Sequence, residues 1–171
     1  MKKICIIGAG LVGRAWSIVF AKKYDEVVLY DTDQKAIENS ILMLSLSIQE
    51  FYKSGLIQID PNQIIKKISG TNNISKAVDG VEYIQECGPE NLEVKKDIFN
   101  KLDKLVSQDV PIGSSTSGIK ASLFSEGLDY PERCLVAHPV NPPSLIPLVE
   151  IVPSHLTDKN ITEWVFISFP I

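Results

Sequence analysis

The segment KKICIIGAGLVGRAWSIVFAKK, residues 2–23, decides the fold. It opens with a short, continuous apolar run that is typical of a buried strand, and this run ends at a glycine. From Leu11 to Lys23 the apolar residues have the spacing of a helix. A buried strand that turns through glycine directly into a helix is the opening unit of an α/β sheet. The segment therefore predicts that the chain begins with such a unit.

The turn itself, GAGLVG, places Gly8, Gly10 and Gly13 in the G-x-G-x-x-G spacing. The motif is weak alone, but a strand before it and a helix after it supply the context that gives it meaning. Gly8 permits the tight turn, Gly10 lets the backbone approach a pyrophosphate, and Gly13 lets the helix pack against the strand. The free N–H groups of the helix then favour phosphate. A glycine-rich turn in another nucleotide-binding or non-binding α/β protein stays open as the alternative.

A carboxylate follows the next apolar run, EVVLYD. This residue, Asp31, lies 21 residues after Gly10. In that position a carboxylate accepts a hydrogen bond from the ribose and repels the additional phosphate of NADP. The next three residues, 32–34, include no arginine that would accept that phosphate. The sequence therefore predicts NAD as the cofactor.

Strands and helices alternate along the rest of the chain. A helical pattern over residues 34–53 and a second helix that begins at Asp60 and Pro61 predict a helical hairpin inserted after the second strand. Two further strands, GVEYIQEC and VPIGSSTS, flank the amphipathic helical run NLEVKKDIFNKLDKLV. This order predicts an α/β fold with a Rossmann-type, doubly wound and mostly parallel sheet.

Composition and charge restrict the class of protein to which the chain can belong. The 171 residues are 44% hydrophobic and 22% charged, which is typical of a globular domain. The net charge of −4 and the lack of a basic patch argue against nucleic acid as a partner, and no apolar run has the length of a membrane span. Cys5, Cys87 and Cys134 fit no metal motif, so we expect buried free thiols in a cytoplasmic protein and no bound metal.

A histidine and a glutamate stand out in VAHPVNPPSLIPLVEIV, residues 136–152. The prolines exclude a helix, and the flanking runs RCLVA and LVEIV are typical of short strands. His138 and Glu150 are 12 residues apart at the ends of these strands. Histidine can take the proton of an alcohol whose hydride goes to a cofactor, and a carboxylate beside it would fix its tautomer. A purely structural histidine at a strand end is the alternative.

Taken together, these elements resemble the 3-hydroxyacyl-CoA dehydrogenase family, most closely its λ-crystallin / L-gulonate 3-dehydrogenase branch. The matching stretches are IIGAGLVGRAW, LYD, IQECGPENLEVKK, SSTSGI and AHPVNPPSLIPLVEIVP, which fall within residues 3–153. The family usually has aromatic residues after the histidine in its acyl-CoA branch, whereas HPVNPP resembles the gulonate branch. The resemblance implies an NAD-dependent dehydrogenase that acts on the 3-hydroxy group of a hydroxy acid or of a 3-hydroxyacyl-CoA.

The resemblance also implies roles for single residues. His138 would be the general base, Glu150 its orienting partner, and Ser117 a hydrogen-bond donor to the reacting oxygen. Cofactor contacts are implied for the glycine turn with Leu11 and Val12, and for Asp31, Glu90, Lys95, Ser117 and Asn141. Ordinary alternatives exist for several of these residues, since a glutamate is favoured at a helix N-terminus and loop serines often bond their own backbone.

Members of the family continue into a helical domain that forms one wall of the substrate cleft and the homodimer interface. We therefore expect residues 1–155 to form the NAD-binding domain and residues 156–171 to be a truncated tail. In that tail Trp164, Phe166 and Phe169 would lack packing partners. Two functions remain open. One is an NAD-dependent oxidoreductase domain with little turnover on its own, and the other is a cofactor-binding remnant or crystallin-like structural protein without turnover.

Overall fold

A computed structural model of the chain describes residues 2–169, which form one sheet covered by helices. The strands are β1 (Lys3–Ile7), β2 (Glu26–Tyr30), β3 (Ile68–Thr71), β4 (Tyr83–Glu86), β5 (Ile112–Ser114), β6 (Cys134–Pro139) and β7 (Val149–Pro153). The helices are α1 (Leu11–Lys23), α2 (Gln34–Lys53), α3 (Pro61–Ile65), α4 (Ile74–Val78), α5 (Leu92–Leu105), α6 (Ala121–Ser125) and α7 (Lys159–Ser168).

The sheet has the strand order β3-β2-β1-β4-β5-β6-β7. Every neighbouring pair is parallel except β6 and β7, which are antiparallel. This arrangement confirms the predicted doubly wound, mostly parallel sheet. The strand order reverses between β1 and β4, and ligands of such sheets bind beyond the carboxyl ends of the strands at this point.

The two faces of the sheet bury separate apolar cores. Alternate residues of β1 point to opposite faces, so that Ile4 and Ile6 join one core while Cys5 and Ile7 join the other. Helices α1, α2 and α7 cover the first face, and α4, α5 and α6 cover the second. Within residues 2–169, no helix combines the length and the apolar character that crossing a membrane requires.

The helical hairpin after the second strand is confirmed, but two short elements next to it were not predicted. These are β3, with four residues at the edge of the sheet, and α4, with five. The sequence ISGT of β3 has no apolar run, because half of this edge strand is exposed. A Cβ on Gly70 would lie 2.3 Å from Cγ2 of Ile37, so this glycine allows α2 to pass close to the strand.

The expectation that the C-terminal aromatic residues lack packing partners is wrong for two of the three. Phe169 is only 7% exposed, and its ring centroid lies 5.4 Å from those of three core aromatics, Trp16, Phe20 and Tyr83. Trp164 also lies against this group, with its ring 6.2 Å from that of Tyr83. Only Phe166, at 75% exposure, faces solvent. The reason is that α7 folds back onto the sheet face that α1 covers.

Candidate active site

The turn between β1 and α1 has the geometry that its glycines require. Gly8 has a φ of +107°, and a Cβ there would lie 2.7 Å from the carbonyl oxygen of Cys87. A Cβ on Gly13 would lie 1.9 Å from the carbonyl oxygen of Gly8. Gly10, the N-cap of α1, would place a Cβ in open space with no atom within 4 Å. Gly8 and Gly13 are therefore needed for the close packing of the turn. Gly10 leaves the helix N-terminus accessible to an anion.

Asp31 ties the end of β2 to this turn. Its Oδ2 accepts a hydrogen bond of 2.8 Å from the backbone N–H of Ala9, and its Oδ1 accepts one of 3.1 Å from Asp33. The carboxylate stays partly exposed beside the glycine turn. This is the place at which a carboxylate accepts from the ribose of a dinucleotide in folds of this kind.

The antiparallel pairing of β6 and β7 brings His138 and Glu150 together. The two residues lie opposite each other in the register, and Nδ1 of His138 is 2.8 Å from Oε2 of Glu150. This confirms the predicted contact. With Nδ1 engaged by the carboxylate, Nε2 is the nitrogen that is free to accept a proton. The side chain of Glu150 is 63% exposed and that of His138 is 24% exposed.

Two cavities meet at His138 and Ser117. The first, of about 230 Å³, is lined by residues that come from the ends of β4, β5 and β6 and from the glycine turn: Val12, Cys87, Gly88, Glu90, Ser115, Ser117, His138 and Asn141. The second, of about 550 Å³, continues past Glu150 toward Lys120 and His155. Five predicted site residues thus line the first cavity, which we call the crevice: Val12, Glu90, Ser117, His138 and Asn141.

Other features lie away from this crevice. The side chain of Leu11 is 76% exposed and lines a separate groove of about 200 Å³ against α2. A larger cavity, of about 790 Å³, lies at the amino ends of β4, β5 and β6, lined in part by Glu82, Pro111 and Arg133. It contains none of the predicted site residues. Among residues 2–169, no group of three or more His, Cys, Asp or Glu side chains could hold a metal ion.

The structure does not bring Lys95 to the surface of the crevice. The lysine is 1% exposed, and its Nζ donates to Oε2 of Glu86 at 2.8 Å and to Oε1 at 3.0 Å. Glu86 is itself fully buried at the end of β4. Sequence reasoning missed Glu86, and the only signal for it was a carboxylate that closes an otherwise strand-like run.

Glu90 holds the loop that carries Ser117. Its Oε1 accepts from the hydroxyl of Thr116 at 2.5 Å and from the backbone N–H groups of Ser117 and Gly118, each at 3.1 Å. Partial burial raises the pKa of the Glu90 carboxyl, but these hydrogen bonds and the charge of Lys95 outweigh it and hold the pKa below its usual value. Glu90 is therefore ionised at neutral pH.

A partly buried polar network forms part of the crevice wall and was also missed. The hydroxyl of Ser115 accepts from Nε1 of Trp16 at 3.0 Å and from Nε2 of Gln85 at 2.7 Å. It also lies 3.3 Å from Sγ of Cys87, which is partly exposed, whereas the other two cysteines are buried. Desolvation by the surrounding protein raises the pKa of the Cys87 thiol, so the thiol is protonated at neutral pH.

Comparisons with known proteins agree with this geometry. Residues 3–168 match a family described as 3-hydroxyacyl-CoA dehydrogenase, NAD binding domain. A lambda-crystallin homolog from Rattus norvegicus is 43% identical over 152 residues, which are 88% of this chain and 48% of that protein. An L-carnitine dehydrogenase from Oceanobacillus iheyensis is 37% identical over 162 residues, which are 95% of this chain and 52% of that protein.

The solved structures support the same fold. The 3-hydroxybutyryl-CoA dehydrogenase from Escherichia coli K12 superposes with a TM-score of 0.91 and 24% identity, over 96% of this chain and 35% of that chain. At this level of identity the likeness concerns the fold alone. The chain spans about half the length of the curated relatives it matches.

Proposed function

The chain belongs to the 3-hydroxyacyl-CoA dehydrogenase family, and from this membership we propose that it acts as an NAD-dependent dehydrogenase domain on the 3-hydroxy group of a small hydroxy acid. The observation that carries the proposal is the 2.8 Å contact between His138 and Glu150, on a crevice that also holds Ser117 and Asn141. NAD, when bound, supplies the acceptor for the hydride.

His138 is the general base of the proposed reaction. Its Nε2 accepts the proton of the substrate hydroxyl, while Nδ1 stays on the carboxylate of Glu150, which stabilises the imidazolium that forms. The hydroxyl of Ser117 lies on the same crevice and donates a hydrogen bond to the reacting oxygen. The alcohol thus gives its proton to His138; a bound NAD would accept the hydride, which would leave a ketone.

Asp31 and the glycine turn hold the cofactor in this proposal. The N-terminus of α1 would hold the pyrophosphate, with the backbone N–H groups of Leu11 and Val12 as donors. The carboxylate of Asp31, fixed by the N–H of Ala9, accepts from the adenosine ribose. Asn141 and Ser117 both line the crevice, and in this proposal they would face the nicotinamide.

A sugar acid such as L-gulonate is the proposed substrate. The lambda-crystallin homologs share up to 43% identity with this chain, and the sequence HPVNPP lacks the aromatic residues that usually follow the histidine in the acyl-CoA branch. L-carnitine, which the Oceanobacillus relative is named for, is also a 3-hydroxy acid, so it belongs in the same substrate panel.

Turnover by the purified 171-residue chain tests the proposal. We expect slow NAD-dependent oxidation of L-gulonate, in keeping with the little turnover expected of this domain on its own, and still slower oxidation of L-carnitine and of 3-hydroxybutyryl-CoA. The variant His138→Gln should lose this activity by at least ~100-fold and keep its affinity for NADH, because it removes only the general base. A His138→Gln chain that turns over at the wild-type rate would contradict the assigned role.

Cofactor binding without turnover is the second candidate function. It is favoured by the 63% exposure of Glu150, since water reaches the catalytic pair and weakens it. The same assays separate the two candidates. NADH binding combined with no oxidation of any of the three substrates would support the second candidate and contradict the first.

A further inference from the structure

We propose that Lys120 binds the carboxylate of the substrate and thereby favours free 3-hydroxy acids over acyl-CoA thioesters. The proposal rests on the proposed function, because it adds a second anchor for the substrate whose hydroxyl group His138 deprotonates. It concerns the larger of the two cavities that meet at His138 and Ser117, which we call the substrate cavity. This cavity of about 550 Å³ extends from Ser117, His138 and Glu150 to Lys120 and His155. Such a volume is within the range of ~300–1,000 Å³ that is usual for sites of small molecules.

The charges in the substrate cavity leave one cation free for an anion. The lining includes one lysine, Lys120, and one carboxylate, Glu150. The carboxylate is engaged by His138, whose Nδ1 lies 2.8 Å from its Oε2. None of the ion pairs among residues 2–169 includes Lys120. The ammonium of Lys120 therefore keeps its N–H donors for a ligand.

The loop that carries Ser117 also holds the backbone of Lys120 in place. Lys120 follows Ser117 by three residues. The loop folds back here, because the hydroxyl of Thr116 accepts a hydrogen bond of 3.0 Å from the backbone N–H of Ile119. The carboxylate of Glu90 fixes the same loop, since it accepts from the hydroxyl of Thr116 at 2.5 Å and from the backbone N–H of Ser117 at 3.1 Å. The backbone of Lys120 therefore has a defined position relative to Ser117.

A 3-hydroxy acid matches this arrangement. A single carbon separates its carboxylate from the carbon that carries the hydroxyl, so the carboxylate must lie close to the group that accepts the hydroxyl proton. Within the substrate cavity, the charge of Glu150 repels this carboxylate and the ammonium of Lys120 attracts it. A hydrogen bond between an ammonium and a carboxylate is about twice as strong as one between neutral groups. Lys120 is thus the group of the cavity that recognises the acid.

A thioester offers no charge at the same position. The carbonyl group of an acyl-CoA is neutral, and the long pantetheine arm separates it from the phosphates of coenzyme A. When the 3-hydroxyl group lies on His138, those phosphates are too far from the reacting carbon to reach the same ammonium. Lys120 therefore strengthens the binding of the free acid and does little for the thioester.

A matched pair of substrates tests this selectivity. 3-Hydroxybutyrate and its methyl ester differ at the carboxyl group alone, which carries a charge only in the acid. Lys120→Met removes the ammonium, whereas Lys120→Arg keeps a cation. The side chain of Lys120 makes no capping hydrogen bond to α6, so its replacement leaves that helix intact. Lys101→Met is the matched control, because Lys101 is an exposed lysine of α5 and does not line the substrate cavity.

For each chain, kcat/KM is measured for the acid and for the ester. Calorimetric titration gives the dissociation constant of NADH and then that of L-gulonate for the chain saturated with NADH. The melting temperatures of the variants show whether the fold is kept, and Lys120→Gln takes the place of Lys120→Met if the latter does not fold.

We expect Lys120→Met to weaken the binding of L-gulonate about tenfold, which corresponds to the loss of one hydrogen bond to a charged group. It should lower kcat/KM for 3-hydroxybutyrate by a similar factor. It should leave kcat/KM for the methyl ester and the dissociation constant of NADH unchanged. Lys120→Arg should retain most of the affinity for L-gulonate, and Lys101→Met should change none of these values.

Three results would overturn the inference. These are unchanged binding of L-gulonate by Lys120→Met, equal losses of kcat/KM for the acid and the ester, and a larger loss of affinity for 3-hydroxybutyryl-CoA than for L-gulonate. The last result would mean that Lys120 binds the phosphates of coenzyme A. A wild-type chain that does not bind NADH would instead contradict the proposed function, and titration with L-gulonate alone would then test Lys120.

Discussion

At the scale of single residues, Gly13 and Gly10 make opposite contributions to the glycine turn. A methyl group on Gly13 would meet a backbone oxygen at 1.9 Å, whereas one on Gly10 would meet nothing within 4 Å. We therefore expect Gly13→Ala to lower the free energy of unfolding by about 3 kcal/mol or more, through overpacking against the backbone. Urea denaturation followed by circular dichroism measures this change.

Gly10→Ala is the matched comparison for Gly13→Ala. Its free energy of unfolding should stay within ~0.5 kcal/mol of the wild-type value, as for substitutions that touch nothing. Its affinity for NADH should nevertheless fall, because the methyl group stands where the pyrophosphate approaches the helix N-terminus. Equal destabilisation by the two substitutions would mean that the turn is tighter at Gly10 than the structure shows.

The sequence predicted the contacts of charged residues correctly where those residues lie at the ends of recognisable strands. The contact between His138 and Glu150 is confirmed, since the two flanking strands fix which residues face each other. The burial of Lys95 was not foreseen, because its partner Glu86 belongs to a different element and no sequence spacing relates them. Burial of a charge depends on such long-range pairing, which a single sequence does not reveal.

At the scale of elements, α7 is attached to the core through one face. Phe169, the residue directly after α7, is buried among core aromatics, while Phe166 lies on the solvent side of the helix. We expect Phe169→Ala to lower the free energy of unfolding by about 3 kcal/mol, through the lost burial and the cavity that remains. Phe166→Ala, the control, should change it by less than ~0.5 kcal/mol. Thermal and urea unfolding of both variants measure these differences.

Similar losses of unfolding free energy for Phe169→Ala and Phe166→Ala would contradict the packing of α7 on the sheet.

The sequence predicted the longer elements correctly, since α1, α2 and α5 have clear helical spacing and β1 and β2 are continuous apolar runs. It failed for β3 and α4, which are too short to show a period. It also failed for the tail, because only the folded sheet shows that the aromatic residues of α7 have a surface to bind.

At the scale of the whole molecule, the crevice lies where the strand order of the sheet reverses. The glycine turn follows β1, the residues around Glu90 follow β4, the loop that carries Ser117 follows β5, and His138 is in β6. Successive parallel strands thus deliver the cofactor turn and the proposed catalytic residues to one edge. This explains why short motifs spread over more than a hundred residues of sequence predicted a single site.

Calorimetric titration of the purified 171-residue chain with NADH and with NADPH tests the central claim most directly. We predict one NADH bound per chain, with NADPH bound at least about tenfold more weakly, because Asp31 repels the additional phosphate. Asp31→Ala should weaken NADH binding by about tenfold, which corresponds to the loss of one hydrogen bond to a charged group. It should also reduce the difference between the affinities for NADH and NADPH. A wild-type chain that binds NADPH as tightly as NADH, or that binds neither, would contradict the account.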